Sequence, residues 1–227
     1  MRLCPCLLSE LRYGARRALG KAFIPLIFPI SVAISPAYAD VTEIVALGDS
    51  LTAGYGLAEG EGFVPQLQAW LEANGVAAKV VNAGVSGDTS AGGLSRLDWS
   101  LTPETDALIV ALGGNDLLRG LDPATTRANL DQILAKAKAR GLKVLLIGLP
   151  GPANFGPDWK TEFDAIFPDL AARYGTALAP NFLAGLGGPD PASLQTLMQA
   201  DQIHPNAEGV KKIVANIGPQ VQALLSE

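Results

Sequence analysis

The chain has 227 residues and a single histidine, so any imidazole chemistry falls to His204. It sits in Asp201-Gln202-Ile203-His204-Pro205-Asn206. Residues three apart in a turn face each other. Asp201 can therefore accept from Nδ1–H of His204 and leave Nε2 free as a base. A hydroxyl for that base stands far upstream, where the apolar run Ile44-Val45-Ala46-Leu47 ends in Gly48-Asp49-Ser50. Ser50, Asp201 and His204 follow the chain order of α/β-hydrolases, but the Gly-x-Ser-x-Gly elbow is missing because Thr52 takes the place of the second glycine. An aspartate and histidine only three apart also argue against that fold. Taken alone, Asp49 and Ser50 read as the cap of the next turn, and a lone histidine reads as a surface or core residue.

Two further blocks carry groups able to stabilise an anion. Asn82-Ala83-Gly84-Val85-Ser86-Gly87-Asp88 follows a second apolar run, and Gly113-Gly114-Asn115-Asp116 follows a third. A glycine at a strand end can turn its N–H toward a ligand, and an asparagine can donate from its NH₂. Acyl transfer needs donors aimed at a developing oxyanion. Both blocks are also ordinary turn chemistry, since Gly and Asn favour turns.

These residues need elements that bring them to one place. Short apolar runs bounded by turn residues read as strands of a covered parallel sheet. They fall at Ile44–Leu47, Lys79–Asn82, Ala107–Leu112, Val144–Gly148 and Thr176–Leu178. Helical spacing of Phe63, Leu67, Trp70 and Leu71 predicts a helix over 63–74, stopped by Gly75. Asp122 and Pro123 supply an N-cap and an N1 proline for a helix running to Arg140. A third helix spans Trp159–Tyr174, with Pro168 expected to kink or split it. A last one starts at Asn206, with a bend expected at Pro219. Strands alternating with helices, spaced by about 30 residues, give βαβ units and a parallel sheet. The expected fold is α/β: a three-layer α/β/α sandwich with a five-stranded parallel sheet. Ligands of such sheets bind outside the carboxyl ends of the strands. The Pro- and Gly-rich loop Pro150–Asp158 leaves that edge, and Asn181–Pro191 is a second loop.

Residues 1–39 read as a signal peptide. Arg2, Arg12, Arg16, Arg17 and Lys21 precede the apolar stretch Ala22–Ile34, and Ala37-Tyr38-Ala39 is an A-x-A cleavage site. An uncleaved anchor is the alternative, although the apolar stretch is short for a membrane span. Residues 40–227 then form one domain of a size that can build a full core. This domain keeps 12 Lys/Arg against 21 Asp/Glu, a net charge of −9 compared with −5 for the whole chain. Such a domain repels nucleic acid and anionic membrane surfaces. Cys4 and Cys6 lie in the leader, so the domain has no disulfide framework and no cysteine nucleophile. One histidine and no cysteine leave no plausible zinc site. Gly54-x-Gly56-x-x-x-Gly60 misses the dinucleotide spacing by one residue, and there is no phosphate-loop lysine. No cofactor or metal is expected.

Gly48-Asp49-Ser50-Leu51, Gly84, Gly113-Gly114-Asn115-Asp116 and Asp201-x-x-His204, in that order, resemble the four blocks of the GDSL/SGNH hydrolase family. The resemblance covers residues 42 to 222. Thr52-Ala53-Gly54-Tyr55-Gly56 and Asn115-Asp116-Leu117-Leu118-Arg119-Gly120 are similar to the branch of periplasmic thioesterase I/lysophospholipase L1 and bacterial arylesterases. The family implies a flavodoxin-like SGNH fold with Ser50 as nucleophile, His204 as base and Asp201 as its orienter. It implies an oxyanion hole from the N–H of Ser50, the N–H of Gly84 and the side chain of Asn115. Candidate substrate contacts are Asp49, Leu117, Leu118, Arg119, Pro150 and Phe155. Leu117–Leu121 is expected to form a mobile lip beside the oxyanion donor, with Gly120 as its hinge.

The resulting expectation is a secreted or periplasmic, monomeric, cofactor-free serine esterase. It would act on short- to medium-chain acyl esters and thioesters, without nucleic acid or stable membrane insertion. A carbohydrate O-deacetylase of the same family and a catalytically silent binding protein are the rivals. The single histidine gives a direct test. Diethyl pyrocarbonate should modify one histidine per molecule as ester turnover disappears, and hydroxylamine should restore it. Molecules that carry the modified imidazole and still turn over ester would show that His204 is not the base.

Overall fold

Apolar side chains along each strand alternate between two faces, and that alternation sets the layers. The computed structural model describes residues 41–187 and 194–226, all within one unit, Ala39–Glu227. The strands are β1 (Thr42–Gly48), β2 (Ala78–Gly84), β3 (Thr105–Ala111), β4 (Lys143–Ile147) and β5 (Ala177–Ala179). They form one parallel sheet in the order β2-β1-β3-β4-β5. On one face Ile44, Ala46, Ile109, Leu145 and Ile147 meet helices α2 (Phe63–Ala73) and α7 (Ala207–Ser226). On the other, Val45, Leu47, Leu108, Val110 and Leu146 meet α3 (Ser90–Ser100), α5 (Pro123–Ala139) and α6 (Pro157–Tyr174). The expected three-layer α/β/α sandwich of five parallel strands is therefore present.

The chain winds outward from β1 to β2, then returns to the far side of β1 for β3. That reversal opens a crevice at the carboxyl ends of β1 and β3, the switch point where doubly wound sheets hold ligands. Short helices cap both strands there: α1 (Ser50–Ala53) after β1 and α4 (Gly114–Leu118) after β3.

Two prolines lie inside helices, and Pro168 does not split its own. α6 runs unbroken through Pro168, and α7 through Pro219. A mid-helix proline removes one hydrogen bond and crowds the preceding turn. In α6 the buried Phe163, Ile166, Phe167 and Leu170 hold the helix to the sheet on both sides of the proline, and burial of an amphipathic face outweighs local propensity. In α7, Ile213, Val214, Ile217 and Val221 do the same.

Helix α3 was not among the expected elements. Its sequence, SAGGLSRLDWS, has two glycines and three serines, each below alanine in helix propensity. Tertiary contacts require it nonetheless. A Cβ at Gly93 would collide with Leu112, and one at Gly92 with the Asp88 carboxylate.

The C-terminal ends of β1 and β2 carry glycines for a similar reason. Gly48 and Gly84 pair across the two strands. A Cβ at Gly84 would collide with the backbone of Ala53, and one at Gly48 with the side chain of Thr52. The first turn after Ser50 thus rests directly on two bare backbones. The Gly84→Ala variant should therefore push α1 off its floor. We expect a loss of about 1–3 kcal/mol, typical of overpacking a tight site, together with a large fall in ester turnover. Thermal unfolding and turnover measured on one preparation check this. A variant with unchanged melting and activity would show that α1 does not depend on that contact.

Candidate active site

Ser50 is the first residue of α1, directly beyond the carboxyl end of β1. Asp49 caps this short helix, its Oδ1 accepting from the N–H of Leu51 at 3.0 Å. Arg96, from α3, fastens the platform beneath. Its Nη2 donates to the Gly48 carbonyl at 2.8 Å, its Nη1 to the Ala83 carbonyl at 2.6 Å, and its Nε to Asp88 Oδ2 at 2.6 Å. One guanidinium therefore ties the ends of β1 and β2 to the loop that follows β2.

His204 arrives from the loop ahead of α7. Its Nε2 lies 2.8 Å from Ser50 Oγ, and its Nδ1 lies 2.6 Å from Asp201 Oδ2. The structure thus brings together the three residues that the sequence separates by up to 154 positions. The other oxygen of Asp201 accepts from the backbone N–H groups of Ile203 at 2.9 Å and His204 at 3.0 Å. The backbone N–H of His204, then its ring, then the N–H of Ile203 pull the Asp201 carboxyl down to about 2. This turn holds Gln202 at φ 55, a left-handed conformation that a non-glycine residue enters at a cost. Gln199 secures the turn. Its N–H donates to the His204 carbonyl at 2.8 Å, and its Nε2 reaches the Pro205 carbonyl at 3.0 Å and the Tyr55 carbonyl at 2.8 Å. The Tyr55 ring covers the imidazole at a centroid distance of 4.7 Å.

Asn115 lies in α4, at the edge of the same crevice, and its Nδ2 donates to Asp49 Oδ2 at 3.3 Å. Its neighbour Asp116 points the other way. Asp116 accepts from the N–H and Oγ of Ser90 at 2.7 and 2.5 Å and from Thr126 Oγ1 at 3.0 Å, which locks α4 to α3 and α5.

A cavity of about 280 Å³ opens beside Ser50 and His204. Leu51, Leu117, Leu118, Leu149, Leu183 and Ile203 make its lining mostly apolar. Of the expected substrate contacts, Asp49, Leu117, Leu118 and Pro150 line it. Arg119 and Phe155 do not. Arg119 Nη2 donates to the Gly87 carbonyl at 2.8 Å, so its charge fastens a loop rather than facing the cavity. Phe155 packs tilted against Trp159 at a centroid distance of 4.8 Å, within an aromatic row that continues through Phe163 to Phe167. The expected lip is tied down at several points. Gly120 and Leu121 donate back to Leu117 and Asp116, and Trp159 Nε1 donates to the Leu121 carbonyl at 3.1 Å.

Gly84 does not offer the donor expected of it. Its N–H is directed to Asn82 Oδ1 at 2.9 Å, and its missing side chain serves the close approach of α1. Sequence reasoning also passed over Arg96, Gln199 and Tyr55, and over Leu51, Leu149, Leu183 and Ile203 in the cavity wall. Arg96 had one usable signal: a cation within an otherwise small and polar segment just after a strand-end loop.

Asp49 is almost wholly buried, at 3% exposure. Burial pushes its carboxyl up to about 6, against the opposing pull of the Leu51 N–H, Asn115 and His204. A carboxyl raised in the folded state contributes stability that is complete below its unfolded value of about 3.9 and lost as pH rises through the folded value. Asp201 works in the opposite sense. Its contribution is present above the ordinary carboxylate range and lost as pH falls toward 2. We therefore expect Asp49→Asn to gain melting temperature relative to the parent as pH rises from 4 to 7. Parallel melting curves across that range would contradict the burial argument.

The chain matches the GDSL-like lipase/acylhydrolase family over residues 46–212. It is 44% identical to an esterase, TesA, of Pseudomonas aeruginosa over 183 residues, covering 80% of this chain and 89% of that one. It is 35% identical to the thioesterase 1/protease 1/lysophospholipase L1 of Escherichia coli K12 over 204 residues, covering 89% and 93%. Among solved structures it is similar to the psychrotrophic esterase EstA of Pseudoalteromonas sp., described as inhibited by monoethylphosphonate. The TM-score is 0.74 at 31% identity, covering 82% of this chain and all of that one.

Proposed function

Since the chain belongs to the GDSL-like lipase/acylhydrolase family and is a carboxylic ester hydrolase, we propose that it cleaves short- to medium-chain acyl esters and thioesters through a Ser50 acyl-enzyme. The observation that carries this reading is the continuous chain from Ser50 Oγ through His204 to Asp201, at 2.8 and 2.6 Å.

Ser50 Oγ attacks the carbonyl carbon while His204 Nε2 takes its proton. Asp201 holds the ring and stabilises the imidazolium that forms. The tetrahedral oxyanion is met by the Ser50 N–H at the start of α1 and by the Asn115 amide. The N–H of Gly87 takes the third place, which sequence reasoning gave to Gly84. Gly87 has φ 86 in the loop after β2. Arg119, just beyond α4, fastens its carbonyl from the side that carries Asn115. The imidazolium then gives its proton to the leaving alcohol or thiol, and water attacks the acyl-enzyme by the same route in reverse.

The cavity supports the acyl range. At about 280 Å³ it lies at the lower edge of ordinary ligand sites, which run from about 300 Å³. Its leucines suit a hydrocarbon chain better than a sugar, which supports acyl esters over acetylated carbohydrate. Export is part of the same reading: cleavage near Ala39 would deliver a monomeric periplasmic enzyme. That segment lies outside the described residues. None of the described helices is long and apolar enough to cross a membrane.

Ser50→Ala should abolish turnover of a chromogenic ester while thermal melting moves by little. Asn115→Ala should lower kcat by about 10²–10³ with a smaller change in KM, the pattern of a lost oxyanion donor. Across a chain-length series, kcat/KM should rise by up to roughly fourfold per methylene, from about 0.8 kcal/mol for each buried CH₂, until the cavity is filled. Turnover surviving in Ser50→Ala would remove the nucleophile from this mechanism. A series flat in chain length would remove the cavity from substrate binding.

A further inference from the structure

Asp49 stands next to the nucleophile, yet no step of the mechanism uses its carboxylate. It is buried, and a Cβ on Gly114 would lie 2.9 Å from its Oδ2, so the backbone of α4 comes up against it without a side chain between. Its two oxygens have separate partners. Oδ1 accepts from the N–H of Leu51 and Oδ2 from Nδ2 of Asn115. An ionised carboxylate only accepts, so the end of the Asn115 amide that faces it must be the NH₂ and not the carbonyl. One Nδ2 hydrogen then points at Asp49, and the planar amide carries the other outward.

We propose that Asp49 is a positioning residue that fixes the orientation of the Asn115 amide, so that its second N–H is held ready for the oxyanion before substrate arrives. This rests on the esterase reading above and adds a cause for its oxyanion hole. Freed from Asp49, the amide can rotate and present its oxygen, which repels an oxyanion. Burial strengthens the device, because the carboxylate has little water to turn to. The burial that lifts its carboxyl is the free energy that folding forgoes to keep an acceptor there.

The test must separate this role from capping of α1. Asp49→Ser keeps a good N-cap for the Leu51 N–H but is too short to serve Asn115. Asp49→Asn keeps the shape and sets an amide against an amide. Both should lower kcat on a short chromogenic ester by roughly 10- to 100-fold, the scale of a small misplacement of a catalytic group, with KM little changed. The decisive measurement is a double-mutant cycle. Asn115→Ala should cost far less in the Asp49→Ser background than in the parent, because the donor it removes is already misaligned. Additive losses, or an effect on KM alone, would overturn the proposal. A readout independent of turnover is the side-chain amide resonance pair of Asn115, assigned as the pair lost in Asn115→Ala. Asp49→Ser should shift the pair and bring its two protons closer in frequency. An unmoved pair would refute the positioning role even if the protein turned over no ester. No turnover by the parent with a shifted pair would instead refute the esterase reading and leave the contact standing. If Asp49→Asn fails to fold, the serine variant decides.

Discussion

The position of Ser50 depends on the close approach of α1 to two strand-end glycines. The backbone of α1 sits directly on Gly84 and the Thr52 side chain packs down on Gly48, and Arg96 ties the carbonyls of Gly48 and Ala83 together from below. Asn82 completes the hold. Its Oδ1 takes the Gly84 N–H, and its Nδ2 reaches toward the Ala53 carbonyl at 3.5 Å. A serine on a four-residue helix has little intrinsic order. Here its position is set by the two strands under it, so the sheet's own rigidity passes to the hydroxyl. The same guanidinium holds Asp88 and thus the loop after β2.

Two aspartates near the imidazole live in opposite environments. Asp201 is partly open to solvent and surrounded by N–H donors, which keep it ionised to low pH. It can hold and compensate a positive ring at little cost. Asp49 is enclosed and held up, so its charge is expensive and its value lies in direction. Sequence composition treats the two residues alike. Only the burial and the count of donors around each carboxylate separate them.

The strands and the longer helices were legible because their apolar runs and caps act locally. Asp122 and Pro123 do open α5, and each expected strand lies within a residue or two of its observed limits. Helix α3 was illegible because its glycines answer to Asp88 and Leu112, contacts that no local pattern displays. The convergence of Ser50, Asp201 and His204 was legible through residue type, order and the Asp201–His204 spacing. Gly84 misled for a physical reason: glycine at a strand end signals a free N–H and a close approach equally well, and here the approach is what it serves. Arg119 and Phe155 were drawn into the cleft by their place after strand ends. The partner of Arg119, the Gly87 carbonyl, comes from another segment, while Phe155 turns to the Trp159 ring four residues on.

Ser50 and His204 lie 154 residues apart, and the intervening chain supplies most of the sheet. A nascent chain leads with its N-terminal end, so Ser50 is made early and its imidazole nearly last. A chain still being extended carries Ser50 with no imidazole beside it. On the mechanism proposed above, hydrolytic power appears only when long-range closure is complete, and such closure is the slow part of folding. The contact between hydroxyl and imidazole thus reports long-range closure of the chain, which the formation of secondary structure alone does not.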